Sequence, residues 1–316
     1  MAKVFITYPF SEDWIKELLE KHDCEVYPET SPPTVNEIKK RIKDKDAILC
    51  LLRDPINREV IDEASALKVI SNYAVGYDNI DVEYASSKGI VVTNTPDILT
   101  NATAELALSL VFALIRRIVE ADRFTREGRF EGWLPELFLG MELSGSTVGV
   151  VGAGRIGSSF AEKVMKLGAS VLYFSRKRKE HLEKLGARKV ELEELLKKSD
   201  IISLHLPLTS ETHHIIGEKE FQMMGKDTFL VNTGRGALID EIALAEALAS
   251  GRIAGAALDV YEYEPGITTS LLKMDNVVLT PHIGSATYRA RKGMAEIAVK
   301  NIILTLEGKE PLYRVK

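Results

Sequence analysis

The chain has 316 residues, which at about 150 residues per domain favours two domains over one large barrel. Its 45% apolar and 28% charged residues are those of a globular chain and exclude a disordered one. Lys plus Arg is 41 against 46 for Asp plus Glu, and the net charge of -5 argues against a general nucleic-acid or polyanion binder while leaving room for a local basic patch.

The N-terminus, Met1-Ala2-Lys3-Val4-Phe5-Ile6, has neither the long apolar stretch nor the small-residue cleavage site of a signal peptide. The first hundred residues alternate apolar runs with amphipathic segments. Strands are expected at Val4–Tyr8, Glu25–Tyr27, Ala47–Leu52, Val69–Asn72 and Ile90–Thr93. Between them lie helical patterns such as Trp14, Ile15, Leu18 and Leu19, and a capping box at Thr34-Val35-Asn36-Glu37. Such alternation predicts βα units and a mostly parallel sheet. One long helix is expected from about Ala102 to Arg126. Its uncharged run, Leu106 to Ile115, is half of the roughly 20 residues a membrane span needs, and Arg116 and Arg117 close it. Gly128 and Gly132 break the pattern, and Arg129 to Leu143, with Trp133, reads as irregular.

The alternation then restarts. Strands are expected at Thr147–Val151, Ser170–Phe174, Ile201–Leu204, Thr228–Val231, Ala256–Val260 and Val277–Leu279, with helices at Ile156–Leu167 and Ile242–Leu248. A last helix runs from Ser285 to about Leu306 and stops at Gly308. The two cysteines, Cys24 and Cys50, exclude a disulfide framework and read as core thiols of a reducing, cytoplasmic protein.

The most informative string is Val148-Gly149-Val150-Val151-Gly152-Ala153-Gly154-Arg155-Ile156-Gly157. It is an apolar strand, then G-x-G-x-x-G, then a helix. Gly152 permits the tight turn, Gly154 lets the backbone approach a pyrophosphate, and Gly157 lets helix and strand pack closely. The helix start adds free N–H groups and a positive dipole end. This context predicts dinucleotide binding. The fold class is therefore α/β, with two doubly wound parallel-sheet domains. Residues 1–98 and 285–316 would form a discontinuous, flavodoxin-like substrate domain, and residues 99–284 an inserted Rossmann dinucleotide-binding domain.

The second strand of this unit ends Phe174-Ser175-Arg176-Lys177-Arg178. An NAD site usually places Asp or Glu there to hold the ribose 2′-OH. Ser175, followed by three cations, suits a 2′-phosphate instead, through charge-assisted hydrogen bonds. NADP is expected to be preferred, with NAD possible. A solvated basic turn is the other reading of Lys177 and Arg178.

Three further strings follow strands: Val231-Asn232-Thr233-Gly234-Arg235-Gly236, Leu258-Asp259-Val260-Tyr261-Glu262-Tyr263-Glu264-Pro265, and Thr280-Pro281-His282-Ile283-Gly284-Ser285. Ligands of doubly wound sheets bind at the carboxyl ends of strands, so these could converge on a nicotinamide. With the glycine loop and Ser71-Asn72-Tyr73-Ala74-Val75-Gly76-Tyr77-Asp78, their order resembles that of the D-isomer-specific 2-hydroxyacid dehydrogenases, and within them most of all the glyoxylate/hydroxypyruvate reductases.

The resemblance implies a role for each matching residue. Arg235 would bind the substrate carboxylate and polarise the C2 carbonyl, for which its planar fork of donors is suited. His282 would give the carbonyl oxygen its proton as hydride arrives, and Glu264 would favour the loaded imidazolium. The backbone amides of Val75 and Gly76 would hold the carboxylate, and Leu52 would line the pocket. Leu206 and Pro207 would lie over the adenosine, and Thr233, Gly234 and Gly284 would flank the cofactor. Asp259 would hold the nicotinamide carboxamide or be a structural acid at its strand end. Thr103, opening the long helix, would touch the cofactor or only start the helix.

Trp133 resembles a tryptophan that reductases of this kind contribute across a dimer interface; an ordinary dimer anchor is the other reading. The resemblance further implies two domains closing on a small 2-oxoacid, and a homodimer. Other D-2-hydroxyacid dehydrogenases (D-lactate, D-glycerate or phosphoglycerate type) and a non-catalytic NAD(P)-sensing module stay open as alternatives. His205, His213 and His214 read as surface or loop residues. Adjacent side chains such as His213 and His214 diverge, so no metal site is expected.

Overall fold

The computed structural model describes residues 1–315. The chain divides into two compact units, residues 1–99 with 286–316 and residues 100–285.

The first unit carries a five-stranded parallel sheet of β1 (Lys3–Ile6), β2 (Asp23–Val26), β3 (Ala47–Leu51), β4 (Val69–Tyr73) and β5 (Val91–Thr93). Its order is β2-β1-β3-β4-β5, the flavodoxin-like winding. The inner strands β3 and β4 are buried almost end to end because both faces are covered, whereas the edge strand β2, Asp-Cys-Glu-Val, is partly exposed. Phe5, Ile48 and Ile70 pack with Ile38, Ile42 and Val60 on one face. On the other lies the helix Tyr288–Leu306, capped by Thr287 through the Ala290 N–H at 3.1 Å. Two strand side chains tie that helix down: Ser71 Oγ donates to the Ala298 carbonyl and the Tyr73 hydroxyl to that of Arg291.

The second unit carries a seven-stranded sheet of β6 (Thr147–Val151), β7 (Ser170–Phe174), β8 (Arg188–Lys189), β9 (Ile201–Leu204), β10 (Phe229–Asn232), β11 (Gly255–Leu258) and β12 (Val277–Leu279). All pairings are parallel and the order is β12-β11-β10-β9-β6-β7-β8. This is the Rossmann order, and it reverses between β6 and β9, where such sheets bind ligands. The helix Arg155–Lys166 buries Phe160, Ala161 and Val164 against the sheet. Removing a ring packed as Phe160 is costs about 3–5 kcal/mol.

The structure corrects two expectations. The long helix is broken into Thr100–Ile115 and Ile118–Arg126, with Arg117 at φ 52° between them. The Ile115 carbonyl, which a continuous helix would spend on residue 119, instead accepts the Met141 N–H at 2.9 Å. A distant segment thus ends the first helix, and no local pattern announces it. The edge strand β8 was not expected: it is two charged residues long and has no apolar run.

Candidate active site

The glycine loop, the Arg235 turn, the acidic loop and the His282 turn all leave the carboxyl ends of strands in the second unit, after β6, β10, β11 and β12. Leu206 and Pro207 follow β9, and Ser175 follows β7. Six neighbouring strands therefore present the predicted residues in one row. Leu52, Val75 and Gly76 belong to the first unit.

The helix after the loop lies so close that a Cβ on Gly157 would strike the Gly152 carbonyl. At Gly154, by contrast, a Cβ would meet nothing within 4 Å. The backbone there is bare on the side a pyrophosphate needs. At the end of β10 the Thr233 hydroxyl is buried without a hydrogen-bond partner, which in a native site calls for a ligand or water. The residues thus fit a dinucleotide. Beside the glycine loop, His205 is half-buried and desolvation alone lowers its pKa to about 3, so the ring is neutral, with Nε2 2.9 Å from Ser203 Oγ.

The basic turn is divided. Arg178 is bound twice by Glu183, at 3.1 and 2.8 Å, and Glu183 also accepts from the Tyr173 hydroxyl. Ser175 is half-buried, Arg176 and Lys177 are exposed, and no ion pair holds those two among the described residues. Two cations are thus exposed, and the third is tied to Glu183.

Arg235 sits on a turn that Asn232 builds by donating to the Arg235 carbonyl at 2.8 Å and accepting the Gly234 N–H at 3.0 Å. The next residue must be glycine: a Cβ on Gly236 would fall inside the backbone of Tyr261 and Glu262. That approach presses the Arg235 turn against the loop carrying Glu264. His282 has φ 53°, a left-handed strain that clusters at functional sites. Its Nδ1 lies 2.9 Å from Glu264 Oε2. Burial opposes the charge on Glu264, but the His282 hydrogen bond and charge, the Tyr261 N–H and the Arg235 charge outweigh it and hold the carboxyl below its ordinary value. An ionised carboxylate only accepts, so Nδ1–H donates and Nε2 is left for substrate.

Asp259 does something more specific than the sequence reading gave it. Its oxygens accept from Thr280 Oγ1 at 2.6 Å, the Ile283 N–H at 2.8 Å and the Gly284 N–H at 2.7 Å. Fully buried, it clamps the turn that carries His282. Tyr261, whose pKa burial and the nearby Asp259 and Glu264 push to about 12, stays a neutral donor to the Thr280 carbonyl at 2.9 Å. Thr103 also approaches this turn, against Gly284.

Two residues escaped assignment in the first unit. Asn94 Nδ2 donates to the Val75 carbonyl and Asn72 Nδ2 to that of Gly76, each at 2.8 Å. With the carbonyls pinned, neither N–H of the Val75–Gly76 turn donates among the described residues. Asparagines at or just after strand ends are the sequence signal for such clamps. Leu52 is 36% exposed. Trp133 is 83% exposed, and Phe130, Leu134 and Leu139 of the same segment are exposed as well. The expected divergence of His213 and His214 fails: the rings stack, with centroids 4.0 Å apart.

A sequence model of the D-isomer specific 2-hydroxyacid dehydrogenase, NAD binding domain, matches residues 108–284. The chain is 48% identical over 314 residues to the glyoxylate reductase of Thermococcus litoralis, covering 98% of this chain and 95% of the relative. The chain belongs to the D-isomer-specific 2-hydroxyacid dehydrogenase family. It is an oxidoreductase that uses a nicotinamide cofactor. Two solved members of the family bracket the cofactor question. The NADPH-dependent glyoxylate/hydroxypyruvate reductase of Sinorhizobium meliloti, in complex with NADP and malonate, is 31% identical with a TM-score of 0.90, covering 99% of this chain and 96% of that one. The D-lactate dehydrogenase of Aquifex aeolicus, complexed with NAD and lactic acid, is also 31% identical, with a TM-score of 0.87, covering 97% and 96%. Among the described residues no helix is long and apolar enough to cross a membrane.

Proposed function

We propose that this dehydrogenase is an NADPH-preferring reductase of small 2-oxoacids, converting glyoxylate to glycolate and hydroxypyruvate to D-glycerate. The observation that carries the chemistry is the Glu264–His282 pair, 2.9 Å apart, on a sheet edge shared with Arg235. Bound NADPH supplies the hydride to the carbonyl carbon. Arg235 binds the substrate carboxylate with a fixed fork of donors and lowers the barrier at the adjacent carbonyl. His282 holds a proton at Nε2 and gives it to the carbonyl oxygen as the alcohol forms. Glu264 fixes the ring through Nδ1. Asp259 sets the turn in place, and we retain for it a contact to the nicotinamide carboxamide. The N–H pair of Val75 and Gly76 is assigned to the substrate carboxylate, and Leu52 to the substrate side chain.

Ser175, Arg176 and Lys177 support the NADPH preference, since a carboxylate at the Ser175 position would repel a 2′-phosphate. The exposed apolar residues of the Trp133 segment support a homodimer, since large apolar side chains left in water are favoured at interaction surfaces. The free thiols Cys24 and Cys50 suit the cytoplasm, to which we assign the enzyme. A panel of 2-oxoacids with NADPH and NADH tests the reading. Highest kcat/KM with NADPH and glyoxylate or hydroxypyruvate is expected. Higher efficiency with pyruvate and NADH would move the enzyme to the D-lactate class.

A further inference from the structure

His213, His214 and Glu262 lie in the second unit and have no role in the site described above, although Glu262 shares the acidic loop with Glu264. Consecutive side chains of a helix or strand point apart. His214, however, has φ 50°, in the left-handed region that histidine enters more readily than most non-glycine residues. Its N–H donates to the Ala237 carbonyl at 2.8 Å. This turn brings the two imidazoles face to face, 4.0 Å between centroids and 29° between planes. Against them lies the Glu262 carboxyl, 8% exposed, with Oε1 2.8 Å from His214 Nε2. One donor atom from each of the three residues lies within 4.8 Å of the other two. The second carboxylate oxygen is held by the Glu241 N–H at 3.4 Å. Asp240 Oδ2 stands 4.0 Å from His214 Nδ1, which adds a second carboxylate beside the imidazole.

We propose that His213, His214 and Glu262 bind one divalent cation of the zinc class. Two imidazoles and one carboxylate are the donors that zinc, cobalt and nickel select, whereas magnesium asks for oxygens alone. Bonds of about 2.0–2.1 Å place tetrahedral donors roughly 3.3 Å apart. The His214–Glu262 pair therefore opens by about half an ångström and the exposed His213 ring swings in. The cation replaces the proton between His214 Nε2 and Glu262 Oε1, and solvent completes the shell beside His213. A bound cation joins the His213–His214 turn to the loop that two residues later carries Glu264, so binding stabilises the fold by mass action.

Calorimetric titration of the whole protein with zinc chloride, paired with thermal unfolding, tests this. One zinc per chain and a raised Tm are expected, with no response to magnesium. His213→Ala, at an exposed position that leaves folding and basal reductase activity intact, and Glu262→Gln should each weaken zinc binding at least about tenfold. His282→Ala should leave it unchanged. No saturable zinc binding, binding undiminished in His213→Ala and Glu262→Gln, or binding lost in His282→Ala would each overturn the proposal.

Discussion

Arg176→Ala isolates the proposed 2′-phosphate site, because its neighbour Arg178 is already committed to Glu183 by two hydrogen bonds. Arg176 is exposed at the turn after β7. A hydrogen bond to a charged group contributes about 1.5–3 kcal/mol, which is roughly 10- to 150-fold in affinity. Solvent screening at an exposed site favours the lower end, near tenfold at physiological ionic strength. The assay is KM for NADPH and for NADH at saturating glyoxylate, at low and high salt. Arg176→Ala should raise KM for NADPH about tenfold and leave that for NADH unchanged, and the defect should shrink as salt rises. Arg178→Ala should leave the ratio of the two KM values alone. Equal losses with both cofactors, or the same selective loss in Arg178→Ala, would refute the reasoning.

Three more predictions follow from individual contacts. Because Glu264 has a folded-state pKa below its unfolded one, its ionised form contributes stability that is present above the unfolded value and lost as pH falls through the folded one. Glu264→Gln should therefore flatten the acid limb of Tm against pH, read by thermal unfolding across the acid range. Gly157→Ala forces a methyl onto the Gly152 carbonyl; overpacking of about 1–3 kcal/mol should lower Tm by several degrees and weaken NADPH binding, read by fluorescence titration. Asn94→Ala frees the Val75 carbonyl, and should raise KM for glyoxylate several-fold while KM for NADPH holds.

The α/β class was legible in the alternation of apolar runs, and the strand–glycine–helix string marked the cofactor loop, because both are local patterns tied to backbone geometry. What escaped was set by distant partners. The Arg116–Arg117 break depends on Met141 reaching the Ile115 carbonyl. The short strand β8 exists only by pairing with β7. His213 and His214 stack because of one left-handed residue. Glu264 and His282, 18 residues apart, meet only across β11 and β12, so their pairing came from the resemblance and not from spacing. Asp259 was visible as an acid at a strand end, but its three bonds to the His282 turn were not.

We propose that His282 delivers the proton in NADPH-dependent reduction of a small 2-oxoacid. Its most direct test is glyoxylate-dependent NADPH oxidation by the wild type and His282→Ala, with NADPH affinity measured on the same samples. Robust wild-type turnover, a loss of about 10²–10⁴ in kcat for the variant and unchanged NADPH binding are expected. Wild-type protein that binds NADPH yet reduces no 2-oxoacid, or a variant that keeps its turnover, would contradict it.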